Sequence, residues 1–254
     1  MPGPCHTPQL GSEVRMKSHV THSRSTTMTR HSLTDITVLL DRSGSMQSIA
    51  DDVVGGFSQF VESQRTGAGQ AVLSLVQFDS QSIDTLFSAR PVHEVKLPIQ
   101  FEPRGSTPLL DALGQTIVST GARLKATRES DRPGRVIFVA ITDGLENASH
   151  EYNLMRVREM IQHQESVYKW DFVYLGANVD AFAESEAMGF ATGKAGSFRP
   201  GMMRQAYAAS AGMINQMREL AALDLDAPLA LSDEAREQMD PGSAEEFKKR
   251  GKKA

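Results

Sequence analysis

Asp41-Arg42-Ser43-Gly44-Ser45, Gly105-Ser106-Thr107-Pro108 and Thr142-Asp143-Gly144 lie far apart in the chain, yet each sets oxygen-bearing side chains beside an apolar run. A small hard cation such as Mg²⁺ takes about six oxygen ligands and keeps some of its waters. Ser43, Ser45 and Thr107 offer hydroxyls for such an ion, and Asp41 and Asp143 offer carboxylates. With two formal negative charges from the protein, the ion stays electrophilic and retains a demand for an outside carboxylate. This donor set favours binding over turnover.

For those oxygens to meet, the neighbouring runs must be strands that end on one side of a sheet. Residues 36–40 are apolar and largely β-branched and end at Asp41, and residues 136–141 run without a polar interruption to Thr142. Both read as strands covered on two faces. Residues 71–78 and 170–175 read as further strands, and residues 83–87 and 92–95 as a short hairpin at a sheet edge, with Pro91 near its bend. Between them, Val53, Val54, Phe57, Phe60 and Val61 share one helical face, as do Leu109, Leu110, Leu113, Ile117 and Val118 behind a first-turn Pro108. Leu154, Val157, Met160 and Ile161 mark a helix over 151–165, and Met203, Tyr207, Ile214, Met217 and Leu220 another after Pro200. The alternation predicts an α/β fold, doubly wound around a mostly parallel sheet with helices on both faces. In that architecture ligands sit at the carboxyl ends of the strands, where all three oxygen-bearing loops emerge.

In order, spacing and strand context, Asp41-x-Ser43-x-Ser45, then Thr107, then Asp143-Gly144 resembles the metal-ion-dependent adhesion site of von Willebrand factor A domains. The resemblance covers roughly residues 33 to 190. It is strongest to stand-alone bacterial and phage proteins of this type, in which Asp143-Gly144-Leu145-Glu146-Asn147 and Tyr174-Leu175-Gly176-Ala177-Asn178 also look familiar. It implies a Rossmann-like fold, hydroxyl ligation by Ser43, Ser45 and Thr107, and Asp41 and Asp143 acting directly or through water. The implied ion is Mg²⁺, with Mn²⁺ or Ca²⁺ as alternatives, and the implied partner is a protein offering an Asp or Glu. Taken alone, Asp, Ser and Gly at a strand end are ordinary turn and cap residues, and it is the three loops together that carry weight. Asp79, Glu146 and Asn147 lie near the rim on this reading, where ordinary loop polarity explains them equally well.

At 254 residues, 40% of them hydrophobic, the chain can bury one substantial core. A net charge of −4 argues against nucleic-acid binding through a global basic field. Cys5 is the single cysteine, which excludes an intramolecular disulfide and a multi-cysteine zinc site. No apolar leader and no membrane-spanning run is present, so a cytoplasmic protein without membrane association is expected.

The expected organisation is a disordered leader over 1–31, a von Willebrand factor A domain over 32–190, a helical extension over 191–223 and a polar, partly basic tail over 224–254. His19, His22 and His31 in the leader are too irregularly spaced to read as a metal tract, and a start at Met28 would lie close to the beginning of the fold. The Met-bearing stripe after Pro200 suits packing on the domain or, alternatively, docking.

The leading expectation is a divalent-metal-dependent protein-binding module that is not an enzyme. A metal-dependent hydrolase is the alternative, but it lacks a nucleophile elbow and a phosphate loop, and its one Asp-x-Asp, Asp224 and Asp226, falls outside the domain. His93 and His150 read as surface residues. An accessory subunit of an ATPase or stress-response complex is a third possibility.

Overall fold

A computed structural model describes residues 1, 3, 30–177, 181–225, 227 and 229–251. The expectations for the leader with Cys5, His19, His22 and Met28, and for Asn178 and Asp226, lie outside the described residues. The chain forms β1 (Arg30–Asp41), α1 (Ala50–Thr66), β2 (Gln70–Phe78), β3 (Ile83–Pro91), α2 (Leu109–Ala126) and β4 (Pro133–Thr142). These are followed by α3 (Leu154–Tyr168), β5 (Asp171–Gly176), α4 (Ala181–Met188), β6 (Ala195–Ser197), α5 (Met203–Ala222), α6 (Asp233–Met239) and α7 (Ser243–Gly251).

The strands make one 6-stranded sheet in the order β3-β2-β1-β4-β5-β6. Every pairing is parallel except that of β3 with β2. From β1 the chain winds outward to β2 on one side and later to β4 on the other, so β1 and β4 flank the point where the winding reverses. The doubly wound α/β fold read from the alternation is the fold observed.

Alternation along β1 and β4 divides the core. Ile36, Val38 and Leu40 of β1 and Ile137, Val139 and Ile141 of β4 face α1 and α5, where they meet Phe57, Phe60, Tyr207 and Met217. Leu39, Phe138 and Ala140 face the other way, against Leu110, Leu113, Val157 and Ile161 of α2 and α3. Strands buried on both faces need continuous apolar runs, which is why these two were legible. The stripe of α5 packs back on α1 through Phe57, Phe60 and Tyr207, with ring centroids 6.1 Å apart in both Tyr207 pairs. Its reading as a free docking face is overturned by this burial.

Other expectations need correction. The hairpin of 83–87 with 92–95 does not form: β3 runs on to Pro91 and pairs with β2, as the edge strand. Val92 and Val95 instead turn into the core, at 5% and 2% exposure. Their apolar character serves packing, not pairing. Helix α3 begins at Leu154, because the Asn153 side chain caps it by accepting from the Arg156 amide at 2.9 Å. Val118 and Leu154, read as core positions, are 54% and 44% exposed.

The segment from residue 224, read as a polar tail, contains α6 and α7. Arg236 of α6 is fully buried, donates to the carbonyls of Ala195 and Gly193 at the sheet edge, and stacks over Phe247 of α7 at 3.9 Å and Phe182 of α4 at 5.5 Å. The cations of the basic run are paired where described: Lys248 with Asp233, Lys249 with Glu245 and Arg250 with Glu246. Among the described residues, no helix is long and apolar enough to cross a membrane.

Candidate metal centre

All five sequence-derived donors come together at the carboxyl ends of β1 and β4. Asp41 is the last residue of β1, and Ser43 and Ser45 follow in the turn that opens into a short 3-10 helix, Gly44–Ile49. Thr107 lies two residues before α2, and Asp143 directly follows β4. The Ser43 and Ser45 hydroxyls are 3.0 Å apart, and the Ser45 hydroxyl donates to Asp143 Oδ1 at 2.6 Å. At Gly144 a Cβ would stand 2.9 Å from Thr107 Oγ1, 3.6 Å from Ser45 Oγ and 3.7 Å from Asp41 Oδ2. Oxygens from the first two loops thus line a small space against Gly144 of the third, which an alanine methyl would enter.

The donors are held from behind by hydrogen bonds. Asp41 is fully buried; its Oδ1 accepts from the Ser43 amide at 2.7 Å and its Oδ2 from the Thr142 hydroxyl at 2.5 Å. Thr107 is fixed by its backbone: its amide donates to Asn147 Oδ1 at 2.9 Å, and its carbonyl accepts from the Asn147 amide at 3.1 Å. Glu146 accepts from the amides of Leu110, Ala148 and Ser149 and from the Ser149 hydroxyl. Asp111 in turn accepts from the amides of His150, Glu151 and Tyr152. These two carboxylates dock the loop after β4 on the first turn of α2, where free amides favour negative charge.

Burial pushes the Asp41 carboxyl up to about 6, against the lowering hydrogen bonds from Thr142 and Ser43 and with a further raising contribution from the Asp143 charge. Asp143 is also raised, by burial first, with the Ser45 hydroxyl opposing. Two carboxylates desolvated side by side carry a charge that a cation would relieve. Among the described residues no group of three or more His, Cys, Asp and Glu is placed to hold a metal; the candidate donors are three hydroxyls and two carboxylates. Hydroxyl and carboxylate oxygens fit a hard divalent cation rather than a thiophilic metal.

The sequence leaves the supporting residues between two readings. In sequence, a place near the rim and ordinary loop polarity explain Asp79, Glu146 and Asn147 equally well; in the structure Asp79 is 1% exposed and each of the three accepts buried or half-buried hydrogen bonds. Thr142 stands in the sequence as the residue before Asp143, with nothing local to mark its hydroxyl as the partner of Asp41. His93 and His150 are exposed, as expected.

No protein-family model matches the chain, and no curated protein matches it. Similar solved structures exist. Proximal thread matrix protein 1 of the mussel byssus is 16% identical with a TM-score of 0.51, over 75% of this chain and 48% of that one. The pilus adhesin SpaC of Lactobacillus rhamnosus GG, in an open conformation, is 13% identical with a TM-score of 0.52, over 76% of this chain and 30% of that one. A von Willebrand factor type A structure from Catenulispora acidiphila is 14% identical with a TM-score of 0.47, over 74% and 42%. The chain therefore spans about half or less of the length of these proteins. At such identity the likeness speaks for the fold alone, a doubly wound α/β sheet.

Proposed function

We propose that this chain is a divalent-metal-dependent protein-binding module in which a partner's Asp or Glu completes the coordination of a cation held by Asp41, Ser43, Ser45, Thr107 and Asp143. The observation that supports it is the convergence of all five donors around the space beside Gly144. When bound, Mg²⁺, or Mn²⁺ or Ca²⁺ in its place, supplies positive charge and open coordination positions.

The chain's own residues do the rest. Thr142 and the Ser43 amide orient the Asp41 carboxylate, Asn147 fixes the loop of Thr107, and Ser45 ties the first loop to Asp143. Three neutral hydroxyls among five donors keep the protein's charge low, so an anionic side chain from outside is attracted and not repelled. Leu145 beside the site is 54% exposed and offers apolar contact to a partner residue next to that carboxylate. A non-catalytic role in the cytoplasm is part of the proposal.

Retention of proteins from lysate on the immobilised full chain tests this reading. Capture in Mn²⁺ or Mg²⁺, its reversal by a chelator, and its loss in Thr107→Ala are expected. Equal capture by wild type and Thr107→Ala, with or without chelator, would overturn it.

A further inference from the structure

The turn between β2 and β3, residues 79–82, supplies none of the five donors, yet it is tied to both loops that carry the hydroxyls. The Asp79 side chain is completely buried. Its Oδ1 accepts from the amides of Gln81 at 2.7 Å and Ser82 at 3.1 Å, which fixes the turn itself. Its Oδ2 accepts from Arg42 Nε at 2.8 Å and from Arg104 Nε at 3.0 Å. Arg42 stands between Asp41 and Ser43; Arg104 opens the loop that leads to Thr107. A single carboxylate oxygen thus receives one guanidinium from each loop.

The same turn makes further ties. Ser82 Oγ accepts from Arg42 Nη2 at 3.0 Å and from Arg104 Nη2 at 3.2 Å, and Ser80 Oγ accepts from the Ser106 amide at 3.0 Å. Two backbone bonds join the loops directly: the Arg104 amide to the Arg42 carbonyl at 2.9 Å, and the Gly44 amide to the Gly105 carbonyl at 3.0 Å. Gly105 is in the left-handed region at φ +68°, where a Cβ would meet Ser80 Oγ at 2.5 Å, so this seam admits no side chain.

We infer that Asp79 is a positioning residue for the candidate metal centre, its buried carboxylate holding the loop of Ser43 and Ser45 in register with the loop of Thr107 through Arg42 and Arg104. The inference rests on the metal-binding reading above. Hydroxyl donors are individually weak, so their affinity for a cation depends on how well they are held in place. With the Asp79 charge removed, two guanidiniums from different loops face each other, and the remaining carboxylate, Asp84, is bound to Arg42 and is 46% exposed.

Asp171 provides an internal control for a purely structural role. It too is buried and receives two cations, Arg135 at 2.7 Å and Lys194 at 2.6 Å. It lies at the other end of the sheet, where β5 begins, and neither of its cations sits on a loop bearing a donor.

The test compares wild type, Asp79→Asn, Arg104→Gln, Arg104→Lys and Asp171→Asn in the full chain, by residue-resolved amide exchange without metal and by calorimetric titration with Mn²⁺. Asp79→Asn and Arg104→Gln are expected to speed exchange at both Gly44 and Ser106 by about tenfold or more. Both should weaken Mn²⁺ binding by about tenfold, with Arg104→Lys recovering most of the loss. The double variant Asp79→Asn/Arg104→Gln should bind no worse than Asp79→Asn by more than about twofold, because both changes cut the same tie. Asp171→Asn should lower the Tm while leaving loop exchange and Mn²⁺ affinity unchanged. Wild-type loop exchange in Asp79→Asn, or the same loosening in Asp171→Asn, would overturn the inference. A wild type that fails to take up Mn²⁺ would instead overturn the metal reading, and the exchange measurements would still decide whether Asp79 couples the loops.

Discussion

At the scale of single residues, the candidate centre is a set of oxygens whose types were legible because strand ends mark where side chains converge. Asp41, Ser43, Ser45, Thr107 and Asp143 could be read from three short segments, since each segment abuts an apolar run that had to be a strand or a helix. The groups that orient them could not be read this way. Thr142 acts on Asp41 from 101 positions along the chain, and a hydroxyl gives no local sign of so distant a partner. Gly144 was legible as a turn residue but not as the residue against which oxygens of Thr107, Ser45 and Asp41 converge. Its replacement by Ala puts a methyl 2.9 Å from Thr107 Oγ1. Mn²⁺ titration of Gly144→Ala should therefore show a loss of about tenfold or more in affinity, with the circular dichroism spectrum of the native fold retained; unchanged affinity would mean that the ion does not occupy that space.

Among the elements, periodicity identified those with a continuous apolar face and failed for those without one. Helices α1, α2 and α5 and strands β1, β2 and β4 carry such faces. Helix α4 is short and lacks a clear apolar stripe, β6 is three residues long, and the visible signal of α7 is charge. What places α6 and α7 is one buried guanidinium, Arg236, between two phenyl rings from different elements, a contact formed only in the folded chain. The contact of α1 with α5 offers a sharper test, because a Cβ at Gly56 would lie 2.5 Å from the Tyr207 ring. Gly56→Val should destabilise the protein by about 1–3 kcal/mol through overpacking, measured by urea unfolding. A stability equal to wild type would show that α5 is not seated on α1 as described.

Over the whole molecule, opposite groups of carboxylates set the response to pH. For Asp79, burial alone would raise the carboxyl, but the Gln81 amide and the Arg104 and Arg42 guanidiniums outweigh it and hold it below the ordinary value of 3.8; Asp84 is likewise lowered, by Arg42 first and Ser82 next. A lowered folded pKa contributes stability above the ordinary carboxylate range that is lost as pH falls through the folded value. Asp41 is the reverse case: raised to about 6, it contributes stability that is complete below 3.8 and lost as pH rises through about 6. Without metal, the Tm should therefore be higher near pH 5 than near pH 7.5 and fall again in strong acid. In Asp41→Asn the difference between pH 5 and 7.5 should shrink, and an unchanged difference would remove Asp41 from this explanation.

The central claim is that five oxygens from three loops bind one divalent cation, and calorimetric titration of the full chain with Mg²⁺ and Mn²⁺, beside Asp41→Ala, addresses it most directly. Saturable binding near one ion per chain, abolished in Asp41→Ala while the Tm transition remains cooperative, is the expected result. Binding that survives Asp41→Ala, or none in the wild type, would contradict it.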